Sequence, residues 1–423
     1  MAVLLLALLG ATLSLQEAVQ RAERHHPQLR QARGATEAAQ AQADLARAPL
    51  LPQLVGNGSY QRTTANFVAK PGSVPPTIAS SASASFDTYN FFNLNATASL
   101  LIFDFGGTFQ GYRAARALAG SQGDLERLSR ADIRLGVQTA FFNARATKAL
   151  VEVARETAEN QDRHLAQIQG FVKAGNRPAI DLAQARADRA NAAVQLINAE
   201  NAFEVAKAQL AQAMGEEGPA RFEIADDTLP PVEGEDGQVG SLFAEAIRAR
   251  PDLVALEKQL QAQELLVGQA RAAYGPQVAV SSAVSAAGVQ IDDLTPNWNL
   301  LISMTWPLFQ GFATRAQVDQ TEATLTTLGG RRDTLRQQIY VEVETARLRV
   351  RAAKAAGAAA KDALANARER LKLAEGRYRA GIGSVIEQGD AQVALTNAAA
   401  QLVQADYAVA TARALLLRAL GRP

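Results

Sequence analysis

The sequence predicts a mainly α-helical, internally duplicated chain with long coiled-coil helices and four strands of a transmembrane β-barrel. Three observations carry this prediction: a repeat in constant register, long stretches without proline, and short segments with apolar residues at every second position.

The repeat is read first. Phe171-Val172-Lys173-Ala174-Gly175 answers Arg377-Tyr378-Arg379-Ala380-Gly381 at an offset of 206. The same offset pairs Ala185 with Ala391, Met214-Gly215 with Leu420-Gly421, and Ile102-Phe103 with Leu308-Phe309. Nearer the N-terminus the offset becomes 224, pairing Pro27-Gln28-Leu29 with Pro251-Asp252-Leu253 and Leu51-Pro52-Gln53 with Gly275-Pro276-Gln277. The first copy therefore carries 18 extra residues between Pro52 and Ile102. The expected organisation is repeat 1 over 13–215, an irregular Gly-, Pro- and acid-rich linker over 216–240, and repeat 2 over 241–421.

Composition narrows the function classes. Lys and Arg number 43 and Asp and Glu 42, a net charge of +1, so no global field favours nucleic acid. Aromatic residues are only 6%, which suits long helices better than a thick globular core. Cysteine is absent, which excludes thiol catalysis, disulfides, Cys-based metal sites and a lipid on an N-terminal Cys. Residues 1–12 hold the run Val3-Leu4-Leu5-Leu6-Ala7-Leu8-Leu9, the length of a signal-peptide apolar region, and are expected to be a signal-peptide remnant although no Lys or Arg precedes the run. No stretch of 18 consecutive apolar residues exists, so any membrane crossing falls to strands.

Each repeat opens with an amphipathic helix, about 14–48 and about 241–273. Two period-two segments follow. In 298–308, Trp298, Leu300, Ile302, Met304, Trp306 and Leu308 fall on one face, with Asn299, Leu301, Ser303 and Thr305 opposite. Its counterpart sets Phe92, Leu94, Ala96, Ala98, Leu100 and Ile102 against Asn93, Asn95, Thr97 and Ser99. Weaker partners are 53–62, where Asn57, Ser59 and Gln61 share a face, and 278–285, where Val278, Val280 and Val284 alternate with Ser281 and Ser285. An apolar face, small polar residues opposite and aromatic ends resemble barrel strands, with Phe92, Phe103, Trp298 and Trp306 at the membrane interfaces. The hairpins are expected over about 53–103 and about 277–308, with tips at about 63–90, including Lys70 to Pro76, and about 287–296.

Long helices come next. Residues 308–422 contain no proline, and the runs 108–174 and 313–379 each permit a helix of some 65 residues, roughly 100 Å at ~1.5 Å per residue. In the second, Val343, Ala346, Val350, Ala353, Gly357, Ala360, Leu364, Ala367, Leu371, Ala374 and Tyr378 alternate spacings of three and four, a coiled-coil seam with small residues at alternate positions. Both helices end at glycine turns, Gly175-Asn176-Arg177-Pro178 and Gly381-Ile382-Gly383-Ser384, and return helices run over about 179–214 and 385–420.

Four strands leave open edges, which in lipid strand unsatisfied backbone groups, so the chain must oligomerise to close. Physics alone leaves the number of copies open.

Taken together, the duplicated halves, Arg250-Pro251-Asp252-Leu253, Pro307-Leu308-Phe309-Gln310-Gly311, and the turn motifs Ala174-Gly175…Asp181 and Tyr378-Arg379-Ala380-Gly381…Glu387 resemble the TolC-type outer-membrane efflux proteins over nearly the whole chain. The resemblance implies a homotrimer with a twelve-stranded barrel in the outer-membrane lipid and an α-barrel reaching across the periplasm. It implies a passive exit duct for an efflux or secretion system, with a periplasmic adaptor protein docked on Gly175, Asn176, Arg177, Pro178, Gly381, Ile382, Gly383 and Ser384, and an inner-membrane pump supplying energy. Carried over by position, Asp181, Tyr378, Glu387 and Asp390 form the aperture gate, and threefold symmetry would gather six carboxylates from Glu387 and Asp390. Where better-known members carry a basic residue two positions after the second turn glycine, this chain has Gly383, and Arg177 or Arg379 is expected to substitute.

No catalytic constellation, metal site or cofactor motif is evident. His25, His26 and His164 lack metal-ligand spacing, and Gly106-Gly107-Thr108-Phe109-Gln110-Gly111 lacks the Gly-Lys-Ser/Thr of a phosphate loop. The rival reading is a soluble coiled-coil scaffold.

Overall fold

The computed structural model describes residues 12–64, 86–175 and 177–422. The whole apolar run Val3 to Leu9, most of the longer hairpin tip, and Asn176 lie outside them. The chain is mainly α-helical with a β-sheet portion and divides into two compact units.

The first unit comprises Met1–Thr36, Ser121–Glu257 and Gly330–Pro423. A two-residue strand β1 (Thr12–Leu13), which takes Thr12 from the expected signal remnant, pairs in parallel with β4 (Glu223–Ile224). Helix α1 (Leu15–His25) begins where the Ser14 hydroxyl accepts a hydrogen bond from the Glu17 N–H at 3.2 Å. The expected single opening helices are each broken by proline. α1 stops before α2 (Pro27–Arg47), and α5 (Val239–Ala249) stops before α6 (Pro251–Ala272). The preceding residues, His26 (ψ 125°) and Arg250 (ψ 123°), are pushed into extended backbone, while each proline suits a first helical turn.

Four long helices follow: α3 (Gly107–Lys173), α4 (Ala179–Ala213), α7 (Ala313–Arg379) and α8 (Val385–Leu420). Every seam position from Val343 to Tyr378 is buried, together with Ile339. Leu364 and Ala367 of α7 pack on Leu395, Ala398, Ala399 and Leu402 of α8. One core joins Leu13, Ala18, Ala22 and Leu29 to Val137, Phe141 and Phe142 of α3, Leu210 of α4, and Phe222 and Ile224. A second gathers Leu242, Ala246, Leu253, Ile339, Val343, Val350, Leu416 and Leu420.

The segment before α5 is fastened by charge. Glu235 is 3% exposed and accepts from Arg413 Nη2 and Nε at 2.9 and 3.0 Å, from Lys354 Nζ at 3.2 Å and from the Val232 N–H at 2.9 Å. Arg250, 2% exposed, forks onto Asp252 at 2.5 and 3.1 Å and reaches Glu342 at 2.5 Å.

The second unit, Glu37–Gly120 and Lys258–Gly329, holds a four-stranded antiparallel sheet. Its strands are β2 (Gln53–Thr64), β3 (Thr88–Phe103), β5 (Gln277–Gln290) and β6 (Asp293–Thr305), in the order β2-β3-β5-β6. Register aligns the faces: Leu54 lies opposite Ala98, Tyr60 opposite Phe92, Leu100 opposite Val280, and Val280 opposite Ile302. Trp298, Leu300, Ile302 and Met304 thus continue one apolar face, while Asn57, Asn95, Ser285 and Asn297 continue the other.

Three expectations are corrected here. A bulge between Leu101 and Phe103 makes Ile102 the extra residue and brings Phe103 opposite Val278, onto the apolar face that simple alternation gave to Ile102. The second hairpin turns over only Ile291 and Asp292, not about 287–296, because β5 and β6 remain paired as far as Gln290 and Asp293. β6 ends at Thr305, ahead of Pro307, so Trp306 lies outside the strand, its indole N–H bonded to the Tyr274 carbonyl at 3.1 Å.

Candidate functional site at the two glycine turns

Both turns between long helices are made by glycine in the left-handed region. Gly175 (φ 73°) donates its N–H to the Val172 carbonyl at 3.1 Å after α3, and Pro178 caps α4 in extended backbone. After α7, Gly381 (φ 78°) donates to Tyr378 O at 3.1 Å, and the Ile382 and Gly383 N–H groups both reach Arg377 O, at 3.1 and 3.0 Å. Ser384 then opens α8 by accepting the Glu387 N–H at 3.1 Å, the Ser-x-x-Glu pattern of a capping box.

This second turn is too tight for a side chain at Gly383. A Cβ there would lie 2.8 Å from the Tyr378 nitrogen and 3.0 Å from the Arg377 carbonyl carbon. Any larger residue at position 383 would have to open this turn.

Tyr378 anchors the region. It is 2% exposed and packs against Ile168 of α3 and Ala185 of α4, with Leu165, Phe171, Val172, Leu182 and Val385 around it. The Arg177 guanidinium covers the ring at 4.4 Å from its centroid. Burial pushes the Tyr378 phenol above its ordinary value; Arg177 opposes the rise and Asp181 adds to it. Asp181 is itself 8% exposed in the first turn of α4. The structure therefore brings buried Tyr378 and Asp181 together with the half-buried Arg177.

Glu387 and Asp390 stand apart from that group. The expected stand-ins for the basic residue are corrected: Arg177 lies on Tyr378, Arg379 bonds the Glu375 carbonyl at 3.4 Å, and Glu387 is paired instead with Arg377 at 3.2 Å. Arg377 can reach Glu387 because the turn folds the start of α8 back beside the last turn of α7. Asp390 is exposed and lines a groove with Asp188, Asn191 and Thr396. Among the described residues it has no ion pair.

Of the expected docking residues, Gly175, Pro178, Gly381, Ile382 and Ser384 are exposed, and Arg177 and Gly383 are half-buried. Ile382, Ile180 and Ile386 are 72%, 74% and 69% exposed. The last two escaped the sequence reading although the 206-residue offset relates them.

In the other unit, Trp298 is 64% exposed and donates its indole N–H to Ser282 Oγ at 2.9 Å. Phe92 stacks on Tyr60 at 5.0 Å and Phe103 on Phe105 at 4.9 Å. No helix among the described residues is long and apolar enough to cross a membrane, and no cluster of three or more His, Asp or Glu among them is placed to hold a metal ion.

Known proteins bear on this arrangement. The sequence pattern of the outer membrane efflux protein family matches residues 18–216 and 242–422. The fusaric acid resistance protein FusA of Burkholderia cepacia is 26% identical over 309 residues, 70% of this chain and 56% of that protein. The pyoverdine export outer membrane protein OpmQ of Pseudomonas aeruginosa is 27% identical over 292 residues, 67% of this chain and 59% of its own length. The chain thus spans less than two thirds of these curated relatives. The crystal structure of the outer membrane protein VceC from Vibrio cholerae has the same fold, with a TM-score of 0.82 at 21% identity over 96% of each chain. With a family match over both segments and a shared fold over almost every residue, the chain belongs to the outer membrane efflux protein family.

Proposed function

We propose that the protein is the outer-membrane exit duct of a tripartite efflux or secretion system, passing substrates from a periplasmic adaptor and an inner-membrane pump to the exterior. The observation that carries this reading is the sheet. One face is mainly apolar, interrupted by Ser282, the other carries Asn57, Asn95, Ser285 and Asn297, and within the described residues β2 and β6 have no outer partner. Three copies joined edge to edge give a closed twelve-stranded barrel with the polar face inward, which satisfies the backbone groups that an open edge would leave bare in lipid. Phe92, Phe103, Trp298 and Trp306 then belong at the membrane interfaces.

The halves 13–215 and 241–421 act as two repeats that both contribute a hairpin and a helix pair, with 216–240 between them. The two turns face the adaptor, where Ile180, Ile382 and Ile386 offer exposed apolar contacts beside Gly175, Pro178, Gly381 and Ser384. Tyr378, Asp181, Glu387 and Asp390 form the aperture, closed while Tyr378 remains packed between α3 and α4. Conduction is passive, with energy supplied by the pump.

The test is extraction of the full chain from bacterial envelopes, followed by mass measurement and planar-bilayer recording. Detergent-dependent trimers with discrete conductance steps are expected. A chain soluble without detergent and inactive in bilayers would point to the scaffold.

A further inference from the structure

We propose that His164 is a proton-sensitive member of the aperture, keeping Tyr378 packed while neutral and releasing it when charged. The role rests on the aperture reading above.

His164 lies on α3 with its ring 6.0 Å from that of Tyr378. Its Nδ1 is buried without a hydrogen-bond partner, and so are the Tyr378 hydroxyl and the Gln388 Oε1 on α8. All three residues line one polar cavity of about 360 Å³ bounded by α3, α4, α7 and α8. Without protein partners these three atoms depend on water entering the cavity, so the packing of Tyr378 beside it depends on how far the cavity is hydrated.

The surrounding charges set the direction. α3 presents Arg163 to the cavity, α4 presents Asp188 with Asp181 nearby, α7 presents Glu375, Arg379 and the phenol of Tyr378, and α8 presents only the neutral Gln388 and Gln392. Burial pushes the imidazole below its ordinary value, and the pull of Asp188, Glu375 and Asp181 only partly offsets it. His164 is therefore neutral in the packed state. In a water-filled cavity the burial penalty disappears while Asp188 and Glu375 remain, so the wet arrangement binds the proton more tightly. By linkage, the packed state is fully favoured only above the wet-state value, which the two carboxylates hold at or above the ordinary imidazole value of about 6.5, and it loses ground as pH falls from there toward the lower packed-state value. An imidazolium drawn toward Asp188 and Glu375 takes one wall from the Tyr378 ring and admits water beside it.

Planar-bilayer recordings of the full chain between about pH 7 and about pH 5 test this, comparing wild type with His164→Gln, which keeps hydrogen bonding but cannot titrate in this window. Wild-type open probability is expected to rise severalfold as pH falls, and His164→Gln to conduct without that rise. Equal pH profiles in the two proteins would overturn the role of His164 while leaving the duct reading intact; wild type that never conducts would overturn both. Should His164→Gln not insert, Asp188→Asn combined with Glu375→Gln serves instead. It should move the rise to lower pH, and an unmoved rise would overturn the proposal.

Discussion

Arg177 holds Tyr378 by two contacts at once, its guanidinium 4.4 Å from the ring centroid and its Nη2 donating to the Tyr378 carbonyl at 3.5 Å. The residue before the α4 cap thus clamps both the side chain and the backbone of the last turn of α7.

The phenolic oxygen gains nothing from this clamp, since it is buried and unpartnered. Tyr378→Phe is therefore expected to leave thermal stability unchanged or raised by up to about 1 kcal/mol, whereas Arg177→Ala should lower it by about 1 kcal/mol and increase basal conductance. Melting curves and single-channel recordings check both. A large destabilisation by Tyr378→Phe would mean that the hydroxyl has a partner beyond this single chain.

Glu387 is partly neutralised by Arg377, while Asp390 is exposed and outside any ion pair among the described residues. At the aperture, Asp390→Asn should therefore reduce cation preference and divalent block more than Glu387→Gln does, and the double change should remove most of both. Reversal potentials in asymmetric salt are the measurement. Unchanged values in the double variant would remove both carboxylates from the conduction path.

Glu235 is the most enclosed carboxylate of the segment before α5. Burial alone would raise its pKa, but the Arg413 fork, the Val232 N–H and Lys354 outweigh it and hold the carboxyl below its ordinary range. A depressed carboxylate stabilises the fold above its unfolded value of about 4.3, and that contribution is lost as pH falls through the lower folded value. Glu235→Gln leaves the half-buried Arg413 with the Leu229 carbonyl at 2.9 Å but without its carboxylate, an expected loss of about 2 kcal/mol near neutrality. The difference from wild type should shrink in acid, which melting by circular dichroism across pH would detect.

Phe105 occupies the space beside Gly275. A Cβ on Gly275 would sit 2.2 Å from the Phe105 ring, and Phe105 is itself in left-handed backbone at φ 56°. Gly275→Ala should cost about 1 to 3 kcal/mol through overpacking, with Phe105→Ala in the same chain restoring part of it. Melting of the purified full chain would report the rescue.

The long-range order of this fold was legible because it depends on periodicity. Proline gaps marked the helices, and the three-and-four spacing from Val343 to Tyr378 named buried positions one by one. Local exceptions were less visible. The Ile102 bulge shifts register by one residue with no change in composition, so alternation gave Ile102 the place on the apolar face that Phe103 takes. The breaks at Pro27 and Pro251 were readable, since each proline stands inside an expected helix. At the turns, sequence offered Tyr378 and three carboxylates but not their partners. Arg177, Arg377 and Arg379 lie within a few residues of two turns, and only the fold decides which of them faces Glu387 and which covers a ring. His164 is a lone histidine in a helix, and its significance rests on neighbours drawn from three other helices.

Between Val350 and Leu364 the buried stripe of α7 consists of Ala353, Gly357 and Ala360, and the next bulky residue after Leu371 is Tyr378. Rods in contact through such low relief have few interlocking teeth, so rolling one against the other meets little corrugation. Tyr378 is the detent at the end of that smooth track. Torque applied near Gly381 would meet this aromatic ring first, then the leucine contacts at Leu371 and Leu364, and only beyond Leu364 the shallow stretch that reaches to Val350.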